Sequence, residues 1–385
     1  MWLSNFTIIG PDKLMEGASL RIEDGLIAEI VPRAVPGGVD GEGRLLCPGF
    51  IDMHGDMIEV EVEPRAGVDF PKQNAIAHLD ARMAACGFTT AYAAVSFCTN
   101  SFRGERRSRA HTEGIIRALH EARPHCRIDH RIHARFDIDF PDAKAVLSDL
   151  LAGRLVDLVS LMDHTPGQGQ YRDIERHIAK IARQKSISIE TAHSLVMDRI
   201  ESAGPEADRL NLLEQFATLA RQAGIKLASH DDDTERKLTM MLALGAVISE
   251  FPITLDVART ATAMGISVAM GAPNAMRGQS YSGNLSAREA HAAGCLHILA
   301  SDYHPASMLP AILTLAETDP AGLCGAIRLG STNSAEALGL HDRGELVPGL
   351  RADIAIVDLR PIPRVVATLS EGRLAYSSGF VPFTR

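Results

Sequence analysis

The sequence lacks any long apolar stretch: no run approaches the roughly 18 residues needed to cross a bilayer. Its opening, MWLSNFTIIGPDKLMEG, lacks a basic segment followed by an apolar one, so no signal peptide is expected and a cytoplasmic protein is. The six cysteines, Cys47, Cys86, Cys98, Cys126, Cys295 and Cys324, are scattered without a CxxC pair. That gives neither a zinc-ribbon spacing nor a disulfide framework, and reduced core thiols are expected. Positive charge is in deficit, with 39 Lys and Arg against 48 Asp and Glu and a net charge of −9. Nucleic acid and anionic membrane each need a broad basic surface, so neither is expected as a partner. A phosphorylated small molecule is compatible, because it needs only a local cluster of arginine, lysine and backbone N–H groups.

Aromatic residues are scarce at 5%, while 46% hydrophobic and 23% charged residues mark a globular chain, neither disordered nor fibrous. A length of 385 residues accommodates a (β/α)₈ barrel of about 250 residues with a smaller domain beside it. The central region repeats one signature, an amphipathic helix ending in glycine and followed at once by a short apolar strand. AACGFTTAYAAV, RQAGIKLAS, LALGAVIS, TAMGISVAM and HAAGCLHILAS carry it, with the glycines at Gly87, Gly224, Gly245, Gly265 and Gly294. Glycine takes the left-handed conformation past a helix at no Cβ cost, and runs of four to eight apolar residues read as strands buried on both faces. With PGFIDMH, CRIDHRIHARF and LVDLVSLMDH, eight strands are expected, ending near residues 54, 97, 135, 164, 230, 251, 271 and 302.

An open doubly wound sheet would ordinarily carry a glycine-rich phosphate turn after its first strand, whereas GFIDMHGD carries metal-binding side chains there. The expected fold is therefore α/β, a (β/α)₈ barrel over residues 49–344. Residues 1–48 and 345–385 show short alternating segments and turns, and they are expected to pair into one small β-sandwich domain built from both chain ends.

Catalytic groups of such a barrel lie at the C-terminal ends of the strands. The polar residues closing the apolar runs are His54-Gly55-Asp56, His133, Asp163-His164, His230-Asp231-Asp232, Glu250 and Asp302. The spacing of His54 and Asp56 puts both side chains on one side of an extended chain. Nitrogen and carboxylate ligands converging on one face suit zinc, manganese or iron, with one or two divalent ions per chain. Such an ion lowers the pKa of bound water to about 7. The expected ligands are His54, Asp56, His164, His230, Glu250 and Asp302, with Asp302 also the base that takes the proton of the attacking water. After the seventh strand, Asn274, Arg277, Gly278 and Ser280 begin a polar loop of the kind whose amides bind phosphate, and Arg65 and Lys72 after the first strand add charge. His111, His120, His177 and His341 are expected at solvated positions.

PGFIDMHGD resembles the first-strand motif of the amidohydrolase superfamily, ASHDD its fifth-strand histidine, ASDYHP its eighth-strand aspartate and GLRADIAIVDL its returning C-terminal strands. On that resemblance His54, His230 and Asp302 are ligands, while Asp56 stands where most members have a second histidine. HGDMIEVEVEPRAGVDFP, LVSLMDHTPGQGQYR, SEFPIT and MGAPNAMRGQSYSGN are similar to one branch, the diphosphatases of the carbon–phosphorus lyase pathway for phosphonate use. Two residues depart from that branch, Ala66 where proline is usual and Tyr281 where histidine is common.

The resemblance implies hydrolysis of a ribose 1-phosphonate 5-triphosphate to its 5-phosphate with release of pyrophosphate. The alternatives are hydrolysis of a C–N bond by a deaminase or cyclic amidase, and a catalytically inactive barrel that serves as an assembly partner. The sequence leaves room for a homo-oligomer.

Overall fold

The computed structural model describes residues 1–65, 67–98, 109–138, 143–162, 166–167, 171, 173–202, 205–280 and 283–379. The N-terminal strands are β1 (Trp2–Ile9), β2 (Leu14–Glu23), β3 (Leu26–Val31), β4 (Val39–Asp40) and β5 (Leu45–Pro48). Eight strands follow that alternate with helices: β6 (Phe50–Gly55), β7 (Phe88–Phe97), β8 (Asp129–Asp137), β9 (Leu158–Met162), β10 (Lys226–His230), β11 (Ala246–Glu250), β12 (Ser267–Gly271) and β13 (Ile298–Ala300). The chain closes with β14 (Ile354–Asp358), β15 (Arg364–Ser370) and β16 (Arg373–Ser377).

Strands β6 to β13 pair in sequence order and every pair is parallel. Each parallel connection needs a crossover, and the helices supply it on the outside. The strands are buried on both faces, as their apolar runs require; every residue of β6, β7 and β9 is buried. Inside the barrel Ile51, Met53, Tyr92, Leu158, Ala228, Ile248, Ala269 and Ile298 pack together, with Leu338 and Leu340 beside them. A parallel bridge between Gly55 and Asp302 brings β13 back to β6. The five helix-ending glycines singled out by pattern all have positive φ, from 69° at Gly294 to 96° at Gly245.

The strands from the two chain ends form one sheet, in the order β16-β15-β14-β5-β1-β2-β3 with β4 on β1. Its pairings are antiparallel except those of β1 with β4 and β5. It has its own core of Leu3, Phe6, Ile8, Leu20, Ile354 and Val366. Gly49 joins this sheet to the barrel, and its bare Cα is required, because a Cβ there would overlap the Thr89 side chain. The six cysteines are free thiols, three of them buried. No helix among the described residues is long and apolar enough to cross a membrane.

Candidate active site

The strand ends at the C-terminal mouth of the barrel are held by backbone rather than by chance packing. Asp302 N–H donates to the His54 carbonyl at 2.9 Å, and Asp56 N–H donates to the Asp302 carbonyl at 2.8 Å. Beneath them the fully buried Asp52 accepts the backbone N–H of Ser301 at 2.9 Å and of His54 at 3.2 Å, and also the Ser301 hydroxyl. Three non-glycine residues just past strand ends sit in the left-handed region: Asp231 (φ 54°), Phe251 (φ 56°) and Asp302 (φ 53°). Such residues are uncommon, and a fold that holds three in one ring of strand ends has localised strain where side chains must be aimed.

One ligand atom from each of His54, His230 and Glu250 falls within 4.8 Å of the others. The His54 Nδ1 atom lies 3.3 Å from Glu250 Oε2, and its Nε2 lies 3.4 Å from Asp56 Oδ1. His230 Nε2 is 3.9 Å from Glu250 Oε2, while its Nδ1 is 3.1 Å from Asp231 Oδ2. Glu250 also accepts the Ser160 hydroxyl at 2.8 Å, and Ser160 in turn is 2.8 Å from His133 Nε2. Phe251 packs against the rings of His54 and His230 at 5.0 and 5.3 Å.

The donor set fits a divalent ion. His54 Nδ1 and Glu250 Oε1 are buried with no hydrogen-bond partner among the described residues, a costly condition that coordination would relieve. Two imidazoles and a carboxylate suit zinc, manganese or iron.

The charges are set by the same proximity. Burial and Arg135 oppose a proton on His54, but Glu250 and Asp56 overcome them and lift it to about 9. Burial drives His133 down to about 3 and lowers His230 as well. Burial works against ionisation of Glu250, yet the imidazoles of His133 and His54 hold its carboxyl far below the ordinary range. Burial, then the charge of Asp56, pushes Asp302 up to about 6.

Of the residues expected from sequence, His54, Asp56, His230 and Glu250 meet in this cluster, and Asp302 joins it through the backbone and through its charge coupling to Asp56. His164 lies outside the described residues, as do Asp163, Ala66 and Tyr281. The segment after β12 spends several of its polar groups on its own backbone. Asn274 spends its amide on the chain, donating to the Leu285 carbonyl and accepting from Ala287 N–H, both at 3.0 Å. Gly278 is the left-handed cap that ends helix Ala272–Arg277, and Arg288 donates to the carbonyls of Ala275 and Met276 there. The segment thus runs from the C-terminus of that helix to the N-terminus of the next, Ala287–Ala292, whose cap residue is Ser286. Arg277 and Arg65 are exposed, Ser280 is partly exposed, and the Lys72 stem lies against Gly114. His177 is buried against Tyr171, with ring centroids 4.2 Å apart, and is not a solvated helix-surface residue.

Arg135 is the residue of this cluster that sequence reasoning missed. It lies two positions after His133 on β8, so both side chains enter the barrel, and it is 5% exposed. Its Nη1 donates to Asp56 Oδ1 at 2.8 Å and its Nη2 lies 3.0 Å from His230 Nε2. An arginine inside the apolar run RIHARF was the available signal. A second group, Asp80, Cys126 and His130, lies near the start of β8. There the Asp80 carboxylate accepts the N–H groups of Arg127 and Ile128 and contacts His130 Nε2, an organising rather than a ligating arrangement.

The amidohydrolase family profile matches residues 45–376. The chain is 35% identical over 363 residues to the alpha-D-ribose 1-methylphosphonate 5-triphosphate diphosphatase of Escherichia coli, covering 92% of this chain and 94% of that one. Among solved structures it resembles the 5-methylcytosine deaminase of Klebsiella pneumoniae liganded with 5-fluorocytosine, at a TM-score of 0.66 and 17% identity, over 100% of this chain and 99% of that one. It also resembles the N-acetylglucosamine-6-phosphate deacetylase of Pasteurella multocida, at a TM-score of 0.61 and 11% identity, over 97% and 98% of the two chains. At these identities the solved structures speak to the fold alone. With its barrel, a group at the strand ends that could hold a metal ion and a family match over most of its length, the chain belongs to the amidohydrolase family, a family of metal-dependent hydrolases.

Proposed function

We propose that this enzyme hydrolyses a phosphoanhydride of a ribose 1-phosphonate 5-triphosphate-like substrate and releases pyrophosphate. The observation that carries the reading is the 35% identity over nearly the full length of both chains to a diphosphatase of that substrate class. His54, His230 and Glu250 would hold a divalent ion, with Asp56, His164 and Asp302 as further ligands. The ion, when bound, acidifies water and neutralises charge that builds on phosphoryl oxygens.

Asp302 accepts the proton of the attacking water. Its backbone bonds to His54 and Asp56 fix it beside the ligands, and a carboxyl raised to about 6 is a better base than an ordinary aspartate while still ionised at neutral pH. Attack at the phosphorus next to the sugar makes pyrophosphate the leaving group. Little covalent work falls to the protein, so positioning and charge supply most of the rate. Arg277, the last residue of helix Ala272–Arg277, and Arg65, both exposed, serve the distal phosphates.

The rival reaction is hydrolysis of a C–N bond on the same ion and the same aspartate. A panel of sugar and nucleoside triphosphates, hydantoins, dihydropyrimidines and amino-purines separates the two. Pyrophosphate from triphosphates is expected; ammonia or ring opening without pyrophosphate would favour the rival.

A further inference from the structure

Arg135 is a cation buried among the groups that would hold the ion, and its donors are unequally used. Nη1 is bonded to Asp56 and Nη2 to His230 Nε2, while Nε is buried with no hydrogen-bond partner among the described residues. A guanidinium only donates, so His230 Nε2 accepts through its single lone pair and the ring proton sits on Nδ1, 3.1 Å from Asp231 Oδ2 but outside hydrogen-bond geometry. An ion in the cluster of His54, His230 and Glu250 requires a lone pair of His230, and Nε2 is the nitrogen on the Glu250 side. That lone pair cannot serve both the guanidinium and the ion.

We propose that Arg135 is the phosphate-binding cation at the centre of this site, and that the ion releases it for that work. An ion on His230 Nε2 displaces Nη2. The freed Nη2 and the unpartnered Nε lie on one edge of the guanidinium, and together they present the two parallel N–H donors that match two oxygens of a phosphoryl group. Nη1 stays on Asp56 and keeps the group in register. Binding is thereby ordered, ion first and phosphate second, because without the ion one of the two donors is occupied. The inference rests on the reading of the substrate as a polyphosphate and adds the residue that receives the reacting end of it.

Inorganic phosphate and Zn²⁺ or Mn²⁺ serve as probes on the full chain. Phosphate should bind the metal-loaded protein more tightly than the metal-free protein in calorimetric titration, by about 10- to 100-fold, the value of a charge-assisted pair of hydrogen bonds. Arg135→Gln should bind the ion at least as tightly as the parent, since a competitor for Nε2 is gone. Its loaded form should lose phosphate affinity by about the same 10- to 100-fold. Arg135→Lys keeps the charge without the two-donor edge and should fall between, and it carries the test where the glutamine variant does not fold.

Equal phosphate affinity of the metal-free and metal-loaded parent would overturn the inference. So would an Arg135→Gln protein with weakened ion binding and unchanged phosphate affinity, the pattern of a mere strut for Asp56. An Arg135→Lys protein with parental phosphate affinity would overturn it too. Phosphate binding that behaves as expected in an enzyme that releases no pyrophosphate would leave this inference standing and remove the proposed reaction.

Discussion

Gly55 and Asp302 pair across the barrel seam, and the backbone bonds on either side of that pair fix the Asp302 carboxylate against His54 and Asp56 at the end of the first barrel strand. Closing the barrel and building the site are therefore the same event. The left-handed backbone of Asp302 matters for any test of its chemistry, because few residues accept φ 53° without strain. Asparagine does, and it keeps the shape of aspartate without its basicity. Asp302→Asn should remain folded, retain most of its metal and lose activity by about 10² to 10⁴, the range for removing a positioned base. Circular dichroism, elemental analysis and initial rates check the three parts. Activity within a few-fold of the parent would move the search for the base to Glu250 or His164.

Metal content follows from the cluster of His54, His230 and Glu250. Protein purified without a metal-binding tag should carry at least one divalent transition ion per chain by elemental analysis, and a chelator should abolish activity that Zn²⁺ or Mn²⁺ restores. Glu250→Gln keeps an oxygen for the Ser160 hydroxyl, which lies 2.8 Å from the carboxylate, and so spares the packing. It removes the anionic ligand. Ion affinity should fall by at least about 100-fold, the upper end for loss of a group that merely supports a ligand. Metal-free protein with full activity would contradict the mechanism.

At the opposite end of the barrel, Arg343 donates to Asp129 at 2.7 Å and to Thr90 at 2.9 Å, tying the segment before β14 to the starts of β7 and β8. Burial opposes the Asp129 charge, but Arg131 and Arg343 hold its carboxyl below the ordinary value. Arg343→Met should cost about 2 kcal/mol of stability and leave kcat within a few-fold, since it lies far along the strands from the mouth. A depressed carboxyl contributes stability that is fully present above its unfolded pKa and is lost as pH falls through the folded one. The difference in unfolding free energy between parent and variant should shrink from neutral pH toward acid. A difference independent of pH would assign the loss to packing instead.

The eight strands were legible because a barrel strand buried on both faces leaves a run of apolar residues, and because glycine at Gly87, Gly224, Gly245, Gly265 and Gly294 marks where a helix stops. The expected ends at residues 97, 230 and 271 coincide with those of β7, β10 and β12, and the others fall within two residues. His54, His230 and Glu250 were visible for the complementary reason, as charged or ligating residues that close apolar runs. Arg135 was not, since a period-2 pattern does not say which face of β8 looks into the barrel, and HRIHARF offers polar residues on the same face. The segment after β12 was legible in composition but not in shape. Asparagine, glycine and serine build helix caps and turns from the same backbone preferences, so the short helix Ala272–Arg277 that opens the segment did not show in its residue types.

Turnover in oxygen-18 water tests the central claim most directly. A ribose 5-triphosphate carrying a phosphonate at C1 would be given to the metal-loaded enzyme, and the products followed by phosphorus NMR and mass spectrometry. The expected result is one pyrophosphate per turnover, with the heavy oxygen in the sugar 5-phosphate, as attack by water at the sugar-proximal phosphorus requires. Release of inorganic phosphate, or heavy oxygen in the pyrophosphate, would contradict it.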